Sequence, residues 1–335
     1  MQLLRHNFST HIILAGWPLS VALVISILWG KESYLDYALV ANAGYLLASL
    51  LDWGGVNARV VLNKIENIEN VWLNKAILFS FLSIIVGVIF SKLEIVLFAV
   101  AAFTNPQWIY VANNEQKKYN RVLFWSRIAI MFTFFSQNFL ILLPISLIVI
   151  NVVLIVITNH KLRISKYSEV KQYFVHGFTF FLSKLSTSLW MYLPLLIISR
   201  FSTYEYVAYA DKFYQMIVAS SVPIVLTQLK GQLNLSIKRF SFLGRFLSLF
   251  FIIISVFIWL FNLDFAILYF MFGTALFFLA VFGQGWIKEP RLRMLNITYA
   301  ISTLIILLLS YIIPHLLLLY PIFFIINIYA RIRLH

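Results

Sequence analysis

The stretch whose reading decides the fold is Val122 to Thr158, VLFWSRIAIMFTFFSQNFLILLPISLIVINVVLIVIT. It carries a single charge, Arg127, and a helix crossing the ~30 Å hydrocarbon core of a bilayer needs about 20 residues, so the stretch is either one overlong crossing or two. Only Gln137, Asn138 and Pro144 mark a turn inside it. The charges on either side decide the matter. With two crossings here and the N-terminus inside, the clusters Arg59/Lys64/Lys75, Lys117/Lys118/Arg121, Lys161/Arg163/Lys166/Lys171, Lys230/Lys238/Arg239/Arg245, Lys288/Arg291/Arg293 and Arg331/Arg333 all fall on the cytoplasmic side. Lys31, Lys92 and Arg200 fall outside. A single crossing would send every cluster from Lys161 onward to the outer face, against the positive-inside bias of membrane proteins.

Working outward, apolar runs recur along the whole chain, at 12–29, 35–51, 76–90, 95–112, 122–137 and 141–158, then 177–199, 206–228, 246–261, 265–286, 295–313 and 316–330. Hydrophobic residues are 62% of the 335, charged residues 11%, and the mean hydropathy is +0.90, far from the ~25% charged content of a soluble domain. Each run is predicted to be helical, because lipid offers backbone groups no partner and the alternating pattern of a barrel strand is absent. The expectation is an all-α polytopic protein of about twelve spans with both termini cytoplasmic. The net charge of +14 is spread over short clusters between spans, which reads as topology rather than as a nucleic-acid surface.

The two halves resemble each other. A shift of 169 positions places Ser33, Asp36, Tyr37, Ala41, Asn42 and Tyr45 on Ser202, Glu205, Tyr206, Ala210, Asp211 and Tyr214 without gaps. This predicts two six-helix bundles, 1–158 and 173–335, joined by a basic cytoplasmic linker at 159–172.

Asn42, Tyr45, Ser49 and Asp52 recur at helical spacing on one stripe of the second run, facing either a neighbouring helix or a wet passage. Tyr214 occupies the equivalent stripe of the eighth run. Arg127, Lys184, Asp211 and Lys212 lie within runs, where a charge costs roughly 2.5–3.5 kcal/mol and so marks a functional candidate. Asp211 and Lys212 are adjacent, about 100° apart around a helix, which predicts that they do not simply neutralise each other. Arg127 and Lys184 lie at similar depth in different predicted bundles, with Arg59 near the inner mouth, and together suit an anionic headgroup such as a diphosphate. Pro18, Pro106, Pro194 and Pro223 are expected to kink their runs.

Enzyme motifs are missing: there is no Gly-rich phosphate loop, no His-Glu-x-x-His and no cysteine. The histidines, His6, His11, His160, His176, His315 and His335, sit at run ends or termini without ligand spacing, so neither a metal nor a cofactor is expected.

Several segments resemble the Wzx-type polysaccharide flippases of the MOP (multidrug/oligosaccharidyl-lipid/polysaccharide) exporter superfamily. They are the 37–52 run closing on Leu51-Asp52-Trp53-Gly54-Gly55 with Arg59 after it; Asn105-Pro106-Gln107-Trp108-Ile109-Tyr110 followed by Glu115 and Lys117; the run 180–195; and Tyr206-Val207-Ala208-Tyr209-Ala210-Asp211-Lys212 with Pro223 beyond. The likeness covers roughly 1–230, and the loops are shorter than is usual for such flippases. The resemblance implies a MATE/MOP-like fold in a bacterial inner membrane. It further implies translocation of an undecaprenyl-diphosphate-linked oligosaccharide to the periplasmic leaflet by alternating access. Partners would be that lipid-linked oligosaccharide, membrane lipid, a polysaccharide polymerase and a chain-length regulator, and no nucleic acid. Arg59, Arg127 and Lys184 would supply a cationic cavity, with Asp211 and Lys212 as candidates for ion coupling. Two alternatives stay open: a multidrug or small-molecule exporter of the same fold, and a multi-span membrane enzyme such as an O-antigen polymerase.

Overall fold

The structure, a computed structural model, describes residues 16–52, 68–89, 91–113, 115–157, 165–199, 208, 211, 212, 215, 292–313, 316 and 326. Arg59, Tyr214, Pro223 and the runs 246–261 and 265–286 lie outside the described residues. The described residues contain helices and turns and no strand. Trp17–Leu51, Glu69–Ile89 and Phe139–Ile157 are, among them, long and apolar enough to cross a membrane.

Helix α1, Trp17–Leu51, is broken at Gly30, whose φ of 83° and ψ of 174° lie outside helical space. Glycine adopts that φ without a Cβ penalty. Unbroken, 35 residues would reach roughly 52 Å, too far for one crossing, so Gly30 supplies the division between the first two runs. Pro18 sits in the first turn, where a missing N–H costs nothing, and does not kink the helix.

Helix α2 (Ile68–Ile89) and helix α3 (Leu93–Phe103) follow, joined by a tight turn with Ser91 at φ 52°. Continuous helix was expected through 95–112, but α3 stops at Phe103 and a separate helix α4 (Gln107–Ala112) begins after Pro106. Pro106 has no N–H for the ladder and its ring crowds the carbonyl four residues back, while Asn105 before it is pushed out of the α region.

Helix α5 (Gln116–Ile130) then tightens into a 3₁₀ turn, Met131–Phe135, and the chain reverses through 136–138 into α6 (Phe139–Ile157). The deciding stretch is therefore two helices, and they pack on each other. Helix α7 is Tyr167–Ile198 and helix α8 is Leu292–Ser310.

The chain forms two compact units, one of Val24–Ser188 and the other of Met1–Leu23 with Leu189–His335. In the first unit α3 is the central helix: Val96 to Ala101 and Phe103 are all buried, and α2 and α6 pack against it. The second half of α1 crosses α3 at Gly44, where the backbones come so close that a Cβ would lie 2.6 Å from the Ile95 carbonyl oxygen. Around that crossing the Phe98 ring meets Tyr37 and Tyr45 edge-on at 5.9 and 6.0 Å. Trp72 of α2 and Trp108 of α4, both fully buried, meet edge-on at 5.5 Å.

The outward faces are as apolar as the core. Ile77, Leu78, Phe81, Leu82, Ile85 and Val88 on α2, and Val149, Val152, Val153 and Val156 on α6, are all exposed. Contiguous apolar faces of this extent match lipid as solvent. Contacts between helix ends obey one alternation. Trp29 Nε1, closing the first run, donates to the Phe134 carbonyl at the close of the fifth. Asp52 just past the second run meets Lys75 just ahead of the third, and Tyr119 just ahead of the fifth donates to Asn105 in the second half of the fourth. Such pairings are what helices running up and down in turn produce.

Candidate functional site

Among the described residues, three polar clusters lie in apolar surroundings. The first surrounds Arg127 on α5. Asn42 and Ser49 on α1 and Asp52 just past its end are buried at 0%, 6% and 5% exposure, and Tyr45 between them is half-buried, so the stripe faces the interior of its own unit. Arg127, half-buried on α5, is close enough to Tyr45 and Tyr119 to interact electrostatically with both phenols. Tyr119 lies ahead of the apolar run that begins at Val122. Burial pushes its phenol up to about 12, against the opposing pull of Arg127 and of its hydrogen bond to Asn105, so it is a neutral donor.

The break in the fourth run adjoins this cluster. Asn105 Oδ1 accepts from the Gln107 backbone N–H at 2.9 Å and from the Tyr119 hydroxyl at 2.9 Å, so one amide oxygen both starts α4 and ties α5 to it. The Asn105 N–H turns to the Ala102 carbonyl, and the Ala101 carbonyl it leaves is taken up by Asn151 Nδ2 of α6 at 2.7 Å. Thr104 Oγ1 donates to the Val100 carbonyl at 2.7 Å, beside the ladder bond that carbonyl keeps from the Thr104 N–H. Tyr110 of α4 donates to the Leu154 carbonyl at 2.7 Å, fixing α4 on α6. A discontinuous helix in lipid survives on replacements of this kind.

The second cluster is a buried ion pair. Lys75 Nζ lies 3.4 Å from Asp52 Oδ1, with side chains 8% and 6% exposed, and also 3.4 Å from the hydroxyl of Tyr173 on α7. The ammonium stands 5.3 Å from the centre of the Tyr173 ring. Lys75 was expected to be a loop charge that merely reports topology; it is instead buried, because an opposite charge on the adjoining run comes within its reach.

The third cluster, in the other unit, corrects an expectation. Lys212 Nζ lies 3.4 Å from Asp211 Oδ2, and both side chains are buried. Gln215 closes the arrangement, its Nε2 donating to Asp211 Oδ2 at 2.9 Å and its Oε1 accepting from Lys212 at 3.3 Å. The angle of about 100° between neighbouring positions is spanned by the four methylenes of lysine, and Gln215 one turn on bridges both partners.

The sequence-predicted residues are therefore brought together in part. Asn42, Tyr45, Ser49, Asp52 and Arg127 share the Val24–Ser188 unit, and so does the backbone position of Lys184 on α7. Asp211 and Lys212 belong to the other unit. Sequence reasoning missed Lys75, Tyr119, Asn151, Tyr173 and Gln215. Asn151, a lone amide in the apolar sequence of α6, and Gln215, one turn past Asp211, were the legible signals. Among the described residues no group of His, Cys, Asp and Glu could hold a metal ion.

No family model matches the chain, and no curated protein matches it. Among solved structures it is similar to one described as the outward-facing conformation of a multidrug resistance MATE family transporter of the MOP superfamily. The two share 12% identity over 97% of this chain and 92% of that chain, with a TM-score of 0.44.

Proposed function

We propose that this chain is a flippase that moves an undecaprenyl-diphosphate-linked oligosaccharide from the cytoplasmic to the periplasmic leaflet of a bacterial inner membrane by alternating access. The observation that carries the proposal is Arg127. A guanidinium inside an apolar run, beside the phenols of Tyr45 and Tyr119, is a costly feature that a transported anion repays. Guanidinium recognises phosphate oxygens in a planar, bidentate manner, and its charge persists at every physiological pH. A diphosphate headgroup then sits at Arg127 and Lys184, the sugars follow it through the protein, and the polyprenyl tail remains in lipid.

In this proposal the chain has about twelve spans in two six-helix bundles divided near 159–172, both termini are cytoplasmic, and Arg59 lies at the inner mouth. The sequence resemblance at 37–59, 105–117 and 206–212 agrees with that assignment. The test is a double substitution, Arg127→Ala with Lys184→Ala, in cells that depend on the chain for surface polysaccharide. Surface polysaccharide is lost while the protein remains inserted, and lipid-linked repeat units accumulate on the cytoplasmic leaflet. Normal surface polysaccharide removes the assigned site. Drug sensitivity without any polysaccharide defect identifies a small-molecule exporter instead.

A further inference from the structure

The Asp52–Lys75–Tyr173 cluster joins three segments of one unit. It fixes the start of α7. Its ammonium lies 3.4 Å from a carboxylate on α1 and 3.4 Å from a phenol on α7, so it joins both to its own helix α2. A second contact acts at the same place: Asn74 Nδ2, next to Lys75, donates to Ser165 Oγ at 2.9 Å, two residues before α7 begins. The first turn of α7 is itself capped, Glu169 Oε2 accepting from the Lys166 N–H at 2.9 Å.

The register of α7 connects this end to position 184. Tyr173, Gly177 and Ser188 are buried, whereas Lys171, Gln172, Val175 and His176 are exposed, so one face of the helix is defined. Eleven residues turn a helix by about 1100°, within roughly 20° of three full turns, so position 184 lies on the same face as Tyr173. It stands roughly 16 Å further along the axis. A buried ion pair is close to all-or-none, since removing one partner strands the other charge without water. The pair fixes the Lys75 ammonium, and α7 is joined to that fixed point through the Tyr173 hydroxyl and ring, which ties the rotation and depth of α7 to it at Tyr173.

We propose that Asp52, Lys75 and Tyr173 are positioning residues for Lys184. They hold α7 so that position 184 stays on the face buried in the unit that carries Arg127. This rests on the assignment of Arg127 and Lys184 to the diphosphate, and it adds to that assignment the residues that keep the second cation in place.

The chain contains no cysteine, so Lys184→Cys introduces a unique thiol. In the purified full-length protein in detergent, the rate of its modification by a water-soluble maleimide reports the register of α7. Adding Lys75→Met changes that rate on the order of tenfold, the size of a typical coupling between linked sites. Exchange of the pair, Asp52→Lys with Lys75→Asp, restores it, which a merely structural loss would not do. Tyr173→Phe, which keeps the ring and removes the hydroxyl, gives a smaller change in the same direction. This milder variant and the exchanged pair carry the test if Lys75→Met does not insert. An unchanged rate in Tyr173→Phe and in Lys75→Met, or a failure of the exchanged pair to restore it, overturns the proposal. Transport is read separately: normal surface polysaccharide with Lys184→Ala alone removes Lys184 from the substrate site and leaves the labelling result standing.

Discussion

Gly44 allows the sharpest test of how the first unit is packed. A methyl group there would lie 2.5 Å from Phe98 Cβ, 2.6 Å from the Ile95 carbonyl oxygen and 3.1 Å from the Ala99 nitrogen. Non-bonded carbon atoms relax at about 3.5–4.0 Å, so Gly44→Ala must drive α1 and α3 apart by about 1 Å. Overpacking on this scale costs about 1–3 kcal/mol. Against that, alanine gains about 0.5–1 kcal/mol over glycine in a helix. The net destabilisation spans about 0–2.5 kcal/mol with a mid-value of about 1 kcal/mol, a fall in Tm of about 2–4 °C at that mid-value for a unit of this size. Thermal unfolding of purified protein in a mild detergent measures it, with Gly44→Leu as the larger wedge. The atoms in the way distinguish this cause from others: Phe98→Ala leaves both its Cβ and the Ile95 carbonyl in place, so it does not rescue Gly44→Ala. A Gly44→Ala protein as stable as the parent, or one rescued by Phe98→Ala, would refute the close crossing.

Two further predictions concern the buried polar groups. Asn105→Ala strips an acceptor from both the Gln107 N–H and the Tyr119 hydroxyl and destabilises by about 1–3 kcal/mol. Tyr119→Phe costs less, and the double variant is no worse than Asn105→Ala alone, which a double-mutant cycle of unfolding free energies checks. Asp52→Leu and Lys75→Met each destabilise by about 3–5 kcal/mol because each strands a buried charge, whereas the two together return close to the parent. Additive losses in that cycle would mean that the two side chains are not paired.

The helices were legible in the sequence because lipid enforces a crude rule: long apolar runs become helices, and Lys and Arg mark the inner ends. That rule sufficed to divide 122–158 into two, and the reversal at 131–138 is where the division fell. It was too crude for 95–112, where hydropathy is uniform and only the backbone chemistry of Pro106 ends the helix. The candidate site was legible as far as single residues allow. Arg127 stands out as a charge among apolar neighbours, and Asn42, Tyr45, Ser49 and Asp52 stand out by spacing. Tyr119 and Tyr173 were not legible as partners, because they reach Arg127 and Lys75 from other helices, and no periodicity within one helix encodes which residue of another lies opposite.

Lys75 and Lys212 each lie against a carboxylate, Asp52 and Asp211, at the same 3.4 Å. A pair so formed is electrically neutral, and removing either partner strands the other charge without water. Arg127 lies on α5 within electrostatic reach of the phenols of Tyr45 and Tyr119. A guanidinium is matched in shape and charge to phosphate oxygens and stays charged at any physiological pH, which is why the proposed flippase reading places the headgroup there. On that reading Arg127→Met, which keeps bulk and removes charge, preserves folding while abolishing transport; transport that survives in a folded Arg127→Met protein takes the guanidinium out of the site.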